Sequence, residues 1–288
     1  MKNIGSFNIT SDILAREGFH IKKRFGQNFL VDKNILEKII KEAHISKETD
    51  VIEIGPGFGA LTEGLLTQAR RVLAYEIDRD LMPILKKNFA DVSNLVLVNQ
   101  DILDCDIDVD IERYLPKSQE TIVVANLPYY ITTPILMRFL ETSMKVTTLY
   151  LMMQMEVANR VTSAPDSKSY GALSVVINYR ATSKVLFSIP RSVFVPKPNV
   201  DSAIVRLEIR KDIVNRPVDE KRFFVFVHQC FAQRRKTLIN NLRAIFSGQT
   251  REELETHLNA CGLAINIRAE SLTTADFLQL WNKLNQLM

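Results

Sequence analysis

An ordered alternation of short apolar runs and amphipathic stretches constrains this chain more than any other feature. DVIEIG, GALTEGLLTQ, RVLAYEID, RDLMPILKKNF, NLVLVNQD, TIVVANLP, TPILMRFLE, TTLYLMMQ and EVANRVTS follow one another almost without a break. Strand-length runs separated by helix-length segments are consecutive βαβ units, so the chain is predicted to build a parallel sheet with helices on both faces. Ahead of them, DKNILEKIIKEA (32–43) places Ile35, Leu36, Ile39, Ile40 and Ala43 at helical spacing behind Asp32 as N-cap. After them, SVVINYRATSKVLFSIP and SAIVRLEIR, rich in Val, Ile, Tyr and Phe, are expected as later strands, antiparallel at the sheet edge. From about residue 210 the β signal ends, and DEKRFFVFVHQCFAQ, RRKTLINNLRAIF, REELETHLNAC and TTADFLQLWNKL carry helical patterns. The expectation is an α/β domain over 1–209, with an N-terminal extension over 1–30, followed by a small all-helical domain over 210–288.

Composition agrees with two globular domains: 288 residues, 46% hydrophobic and 24% charged. No apolar run approaches the roughly 18 residues a membrane-spanning helix needs, and the first residues lack a basic stretch leading into an apolar one. A soluble, cytoplasmic protein is expected, and nothing points beyond a monomer. Cys105, Cys230 and Cys261 are isolated, without zinc or disulfide spacing, and read as buried thiols; no metal is expected. Asp104, Asp106, Asp108 and Asp110 alternate with Cys105, Ile107, Val109 and Ile111, but the segment lacks the central glycine and final glutamate of a calcium loop. It reads as a half-exposed extended segment.

Charge is unevenly distributed. Residues 1–208 hold 25 basic and 25 acidic side chains, whereas residues 209–288 hold 12 and 8, so the whole net charge of +4 lies in the tail. Arg234-Arg235-Lys236 is expected to begin the most basic helix there, and Lys22-Lys23-Arg24 forms a second cluster. Clustered positive charge on a near-neutral body suits a polyanion such as nucleic acid, although solvated charged faces are commoner.

The first strand of the series runs directly into Gly55-Pro56-Gly57-Phe58-Gly59 and then a helix. Such a turn lets a ligand approach the main chain with no Cβ in the way, and in an open α/β sheet ligands bind beyond the carboxyl ends of the strands. The spacing GxGxG, in place of GxGxxG, disfavours a nicotinamide dinucleotide. Glu76 closes the second strand, about 20 residues past the glycines, where an α/β fold grips ribose hydroxyls; Asp101 closes the third, placed to accept from an adenine amine. Each acid alone is more often a helix cap. The fourth strand ends in Asn126-Leu127-Pro128-Tyr129-Tyr130. There the Asn126 side chain and the Leu127 carbonyl can accept from one exocyclic amine, Pro128 sets the turn, and Tyr129 offers a ring face to a base.

Asn126-Leu127-Pro128-Tyr129 resembles the motif of amino-group methyltransferases acting on nucleic-acid bases, and the glycine turn with its two acids resembles the S-adenosylmethionine site of class I, Rossmann-like methyltransferases. FGQNFLVD (25–32), EIGPG (53–57), QMEVANR (154–160), FVPKPNVDS (194–202) and FAQRRKT (231–237) together are similar to the ribosomal RNA adenine dimethyltransferase family. The likeness runs in order over about residues 20–245 and is nearest to bacterial members that dimethylate two adjacent adenines near the 3′ end of small-subunit ribosomal RNA. It implies an enzyme using S-adenosylmethionine and acting on a hairpin loop in small-subunit assembly intermediates. It also implies cofactor contacts at Asn28, Leu30, Gly55, Gly57, Glu76, Asp101 and Asn126, and a reacting group of Asn126, Leu127, Pro128 and Tyr129 with Phe194 as a second stacking ring. Lys22, Lys23, Arg24, Lys197, Arg234, Arg235 and Lys236 are then the candidate RNA contacts, and the helical tail an RNA- and ribosome-binding domain. The alternatives are a large-subunit adenine methyltransferase of the macrolide-resistance type, a mainly non-catalytic ribosome-assembly factor, and an NAD oxidoreductase.

Overall fold

The computed structural model describes residues 4–5, 16, 19–116, 118–142 and 145–287, the side chains of Lys23 and Thr142 excepted. In chain order the elements are β1 (Phe29–Leu30), α1 (Lys33–Glu42), β2 (Thr49–Ile54), α2 (Ala60–Gln68), β3 (Arg71–Tyr75), α3 (Leu81–Asn88), β4 (Leu95–Val98), α4 (Ile107–Tyr114), β5 (Glu120–Asn126), α5 (Thr132–Thr142), β6 (Val146–Gln154), α6 (Met155–Val161), α7 (Ala172–Arg180), β7 (Ala181–Ile189), β8 (Phe194–Val195) and β9 (Ser202–Ile209). Then come α8 (Glu220–Cys230), α9 (Leu238–Ile245), α10 (Arg251–Ala260) and α11 (Thr274–Leu284).

The main sheet has the order β4-β3-β2-β5-β6-β9-β7. Strands β2 to β6 pair in parallel, and β9 is antiparallel to β6, so the predicted doubly wound sheet with an antiparallel edge is present. Every residue of β2 is buried, Val51, Ile52 and Ile54 among apolar neighbours and the polar Thr49, Asp50 and Glu53 with hydrogen-bond partners, as for a central parallel strand covered on both faces. Helix α1 begins where Asp32 accepts from the Ile35 N–H at 3.1 Å, and its Leu36 and Ile39 are buried, as the spacing predicted.

Two compact units make up the chain, one of Met1–Ala158 with Lys184–Ile209, the other of Asn159–Ser183 with Arg210–Met288. Residues 159–183 therefore group with the helical tail, whereas the sequence pattern assigned them to the first domain. Within this second unit Tyr170, Val175 and Tyr179 share a core with Phe223, Phe226 and Trp281. The Tyr170 hydroxyl donates to the Leu272 carbonyl at 2.8 Å, and Arg180 pairs with Glu220 at 2.6 Å.

Three local expectations are corrected. SVVINYR, expected as strand, is helix α7, with Ser174, Val175, Val176, Ile177 and Tyr179 all buried. A short apolar run buried on every side carries no periodicity, so β-branched content misleads. The Asp104–Ile111 alternation is a turn followed by α4, with Asp106 capping the Val109 N–H at 3.2 Å. Its buried pair Ile107 and Ile111 is spaced by four, which satisfies a helix as well as an alternating strand, and Val109 is 55% exposed. Arg234-Arg235-Lys236 lies in the turn between α8 and α9, and α9 starts after Thr237.

The entry to α2 rests on Gly59, whose φ is +94° and whose missing Cβ would lie 2.4 Å from the Phe89 ring. A Gly59→Ala variant combines left-handed strain with a clash against a buried ring, and is expected to lose about 1–3 kcal/mol of stability. Urea unfolding would show a lower midpoint with an unchanged slope; an unaltered midpoint would contradict the packing described.

Candidate active site

Order in the sheet reverses between β2 and β5: β2 leads on to β3 on one side, β5 to β6 on the other. A crevice opens beyond the carboxyl ends of these two strands, as expected at a topological switch point. It is lined by Phe25 to Leu30 on one side, by Glu53 to Phe58 and Glu76 beneath, and by Asn126 to Tyr129 opposite, with Asp101 at the edge. Asn28, Leu30, Gly55, Gly57, Glu76, Asp101, Asn126, Leu127, Pro128 and Tyr129 thus converge on one cleft.

Gly55 has φ +67°, and a Cβ placed there would meet nothing closer than the Asn126 carbonyl at 3.9 Å. A side chain at that position would project into the cleft, so the glycine keeps open the space a ligand needs against the main chain. Glu76, at the end of β3, is 4% exposed. Its Oε2 accepts from the Gly57 N–H at 3.2 Å and its Oε1 from the Asp78 N–H at 2.8 Å. Burial pushes its carboxyl up to about 7, against the opposing pull of the Asp78 and Gly57 amides. Glu53, in β2, is 1% exposed, accepts from the Thr62 hydroxyl at 2.6 Å, and is pushed by burial up to about 8. Asp101 accepts from the Leu103 N–H at 3.0 Å and so caps the short turn at Ile102–Asp104, while still facing the cleft.

At the end of β5 the Asn126 amide nitrogen donates to the Asn28 carbonyl at 3.1 Å. Leu127 is held by its N–H on the Met152 carbonyl, 3.3 Å away. Among the described residues neither the Asn126 side-chain oxygen nor the Leu127 carbonyl receives a hydrogen bond. Two acceptors on adjacent residues are therefore free for an external donor. The Tyr129 hydroxyl bonds the buried Ser202 hydroxyl at 2.8 Å, fixing the ring at the cleft wall.

Other predicted residues are placed differently. Phe194 is 3% exposed and does not line the cleft; it belongs to the apolar cluster with Leu30, Ile39 and Ile204, which do. It pairs with Leu30 across the β1–β8 ribbon, so it supports the wall from behind. Lys22 is held by Asp78 and Asp80 at 2.5 and 2.6 Å. The Arg234 guanidinium donates to the carbonyls of Lys168 and Tyr170 and lies 3.6 Å from Glu270, so it holds its own unit together. Arg24, Lys197, Arg235 and Lys236 are exposed, and the Lys23 side chain lies outside the described residues. Gln27, Thr62, Asp78 and Ser202 gained no role from sequence spacing, because each acts through a partner 9 to 73 positions away.

A family model described as ribosomal RNA adenine dimethylase matches residues 18–286. A ribosomal RNA small subunit methyltransferase A from Oceanobacillus iheyensis is 46% identical over 286 residues, covering 99% of this chain and 97% of the relative. One of the same name from Streptococcus gordonii is 47% identical over 279 residues, 96% of each chain. Among solved structures, a dimethyladenosine transferase from Plasmodium falciparum shares the fold, with TM-score 0.77 and 24% identity over 90% of this chain and 98% of the other. The 23S rRNA methyltransferase ErmE gives TM-score 0.67 and 26% identity over 89% and 99%.

Glu53 and Glu76 take up protons more readily folded than unfolded. Their contribution to stability is thus complete below about pH 4.5 and is lost as pH rises through about 7 and 8. Unfolding midpoints of the ligand-free protein should fall as pH rises from about 4.5 to about 8, and Glu76→Gln should flatten that decline, most of all below about pH 7. An identical pH profile in the variant would mean that Glu76 is not held in a water-poor site.

Proposed function

Because the chain belongs to the ribosomal RNA adenine dimethylase family, we propose that this cleft holds S-adenosylmethionine and presents it to the N6 amine of adenosine. The substrate is two adjacent adenosines in a hairpin loop near the 3′ end of small-subunit ribosomal RNA, each dimethylated, on small-subunit assembly intermediates. Relatives 46% and 47% identical over nearly the full length carry the small-subunit name and favour this over the large-subunit alternative. We place the enzyme in the cytoplasm as a monomer; among the described residues no helix is long and apolar enough to cross a membrane.

The observation that carries the proposal is the pair of unpartnered acceptors at Asn126 and Leu127 beside the open main chain of Gly55. The residues present fit the cofactor: Glu76 for the ribose hydroxyls, Asp101 for the adenine amine, Asn28, Leu30, Gly55 and Gly57 for the walls. Bound there, the cofactor supplies a methyl group on a cationic sulfur, a leaving group that departs neutral without an acid. The protein's task is therefore positioning and exclusion of water. The Asn126 oxygen and the Leu127 carbonyl accept from the adenine amine and hold its hydrogens out of the base plane, which localises the nitrogen lone pair. Tyr129 stacks on the base, Pro128 sets the turn that aims it, and Phe194 backs the β1 wall. Unstacking the target costs a few kcal/mol, least in a single-stranded loop. Arg24, Lys197, Arg235 and Lys236 contact phosphate, with Lys23 next to Arg24 in sequence, so binding weakens steeply with salt.

Labelled S-adenosylmethionine should deliver methyl groups to unmethylated small subunits, and nucleoside analysis should find dimethyladenosine. Incorporation into large subunits instead would overturn the substrate assignment. Asn126→Ala is expected to lower turnover by about 100-fold or more, as for loss of a group that organises the transition state. Tyr129→Ala should weaken RNA engagement by roughly 5- to 150-fold, the worth of one stacked base, while Tyr129→Phe retains most of it.

A further inference from the structure

The segment ahead of β1 forms one side of the cleft through Phe25, Gly26, Gln27 and Asn28, and it is tied to the loop after β3 at Asp78 and Asp80, chiefly at the buried Asp78. Asp78, whose side chain is 1% exposed, receives the Lys22 ammonium at 2.5 Å on Oδ1 and the Gln27 side-chain amide at 2.8 Å on Oδ2. Lys22 also reaches Asp80 at 2.6 Å, and its N–H donates to the Gln27 side-chain oxygen at 2.8 Å. The Asp78 N–H in turn donates to Glu76 Oε1, and the other Glu76 oxygen accepts from Gly57. An unbroken series of contacts thus runs from Lys22 through Asp78 and Glu76 to the glycine turn.

Two features make this more than a surface ion pair. Burial alone would raise the Asp78 carboxyl, but the Lys22 ammonium, the Asp80 amide and the Gln27 side chain hold it below its ordinary value. An ionised Asp78 next to Glu76 opposes ionisation of Glu76, so the contacts that fix Asp78 also act on the cofactor-side carboxylate. The same contacts keep Gln27 and Asn28 against the cleft, and Asn28 carries the carbonyl that anchors Asn126.

The geometry points to Lys22, Gln27 and Asp78 as a clasp that positions Glu76 and the 25–28 wall for the cofactor, making Lys22 a cofactor-positioning residue instead of an RNA contact. This rests on the proposal that the cleft holds S-adenosylmethionine. Neither Gln27 nor Asp78 touches the reacting atoms; both act through Glu76 and the wall.

The test compares the full-length wild type with Lys22→Met, Lys22→Arg and Gln27→Leu. Calorimetric titration with S-adenosylhomocysteine, RNA binding at several salt concentrations, and methyl transfer with separate KM and kcat are measured on each. Lys22→Met should weaken S-adenosylhomocysteine by about 10-fold, the loss of one hydrogen bond to a charged group. Its KM for S-adenosylmethionine should rise by more than kcat falls, and its salt slope for RNA should match the wild type. Gln27→Leu should shift the same parameters in the same direction, and Lys22→Arg should recover most of the affinity. Unchanged S-adenosylhomocysteine affinity in both Lys22→Met and Gln27→Leu overturns the clasp, as does an RNA salt slope reduced by about one with cofactor affinity intact, the mark of a lost phosphate contact. Gln27→Leu decides the matter if Lys22→Met does not fold. Failure of the wild type itself to bind S-adenosylhomocysteine sinks the cofactor assignment, a separate outcome from failure of the clasp.

Discussion

Everything functional in this molecule depends on β2 and β5 lying side by side in parallel, in register from Thr49 opposite Glu120 to Ile54 opposite Ala125, while their onward connections leave in opposite directions. The onward connections of the two strands themselves then do not cross in front of the gap beyond Ile54 and Asn126. Parallel strands buried on both faces leave their chemistry nowhere to go but the strand ends. The glycine turn after β2 and the Asn126–Tyr129 segment after β5 are therefore neighbours across a crevice, although more than 60 residues separate them in sequence.

The crevice is chemically asymmetric. On one side lie carboxylates, Glu53, Glu76 and Asp101, two of them in surroundings dry enough to push their protonation toward neutral pH. On the other lie an amide oxygen and a main-chain carbonyl without internal donors, beside a ring held by Ser202. The first side suits hydroxyl and amine donors of a nucleoside, the second the amine of a base. Neither needs a strong acid or base, in keeping with displacement from a leaving group that departs uncharged. Basic residues divide similarly: Lys22 and Arg234 are occupied by internal acceptors, whereas Arg24, Lys197, Arg235 and Lys236 face solvent. Charge clusters in a sequence do not distinguish these two states, because the difference lies in which carboxylates and carbonyls the fold brings to them.

Much of the site is legible in the sequence because strand ends are legible. Gly55, Glu76, Asp101 and Asn126 each follow an apolar run, and the βαβ rule sends all such ends to one edge of the sheet. Asn28 and Leu30 carry no spacing signal and enter only through resemblance to a family. Phe194 enters as a cleft aromatic only through resemblance to a family, and the β1–β8 pairing places it in the buried cluster with Leu30. The stretch 172–180 reads as a strand because burial on all sides erases periodicity, and only its packing against α8 and α11 makes it helical.

Local pattern by itself determined the alternating elements, the Asp32 cap, the glycine turn and the carboxylates and amide closing each strand, since these follow from steric preference and hydrophobic period within a few residues. Tertiary structure alone decided that residues 159–183 group with the helical tail, that Phe194 is support, and that Lys22 and Gln27 meet at Asp78. Those outcomes depend on pairings between residues far apart in the chain, whose energies arise only once burial has removed the water that would otherwise satisfy each partner separately.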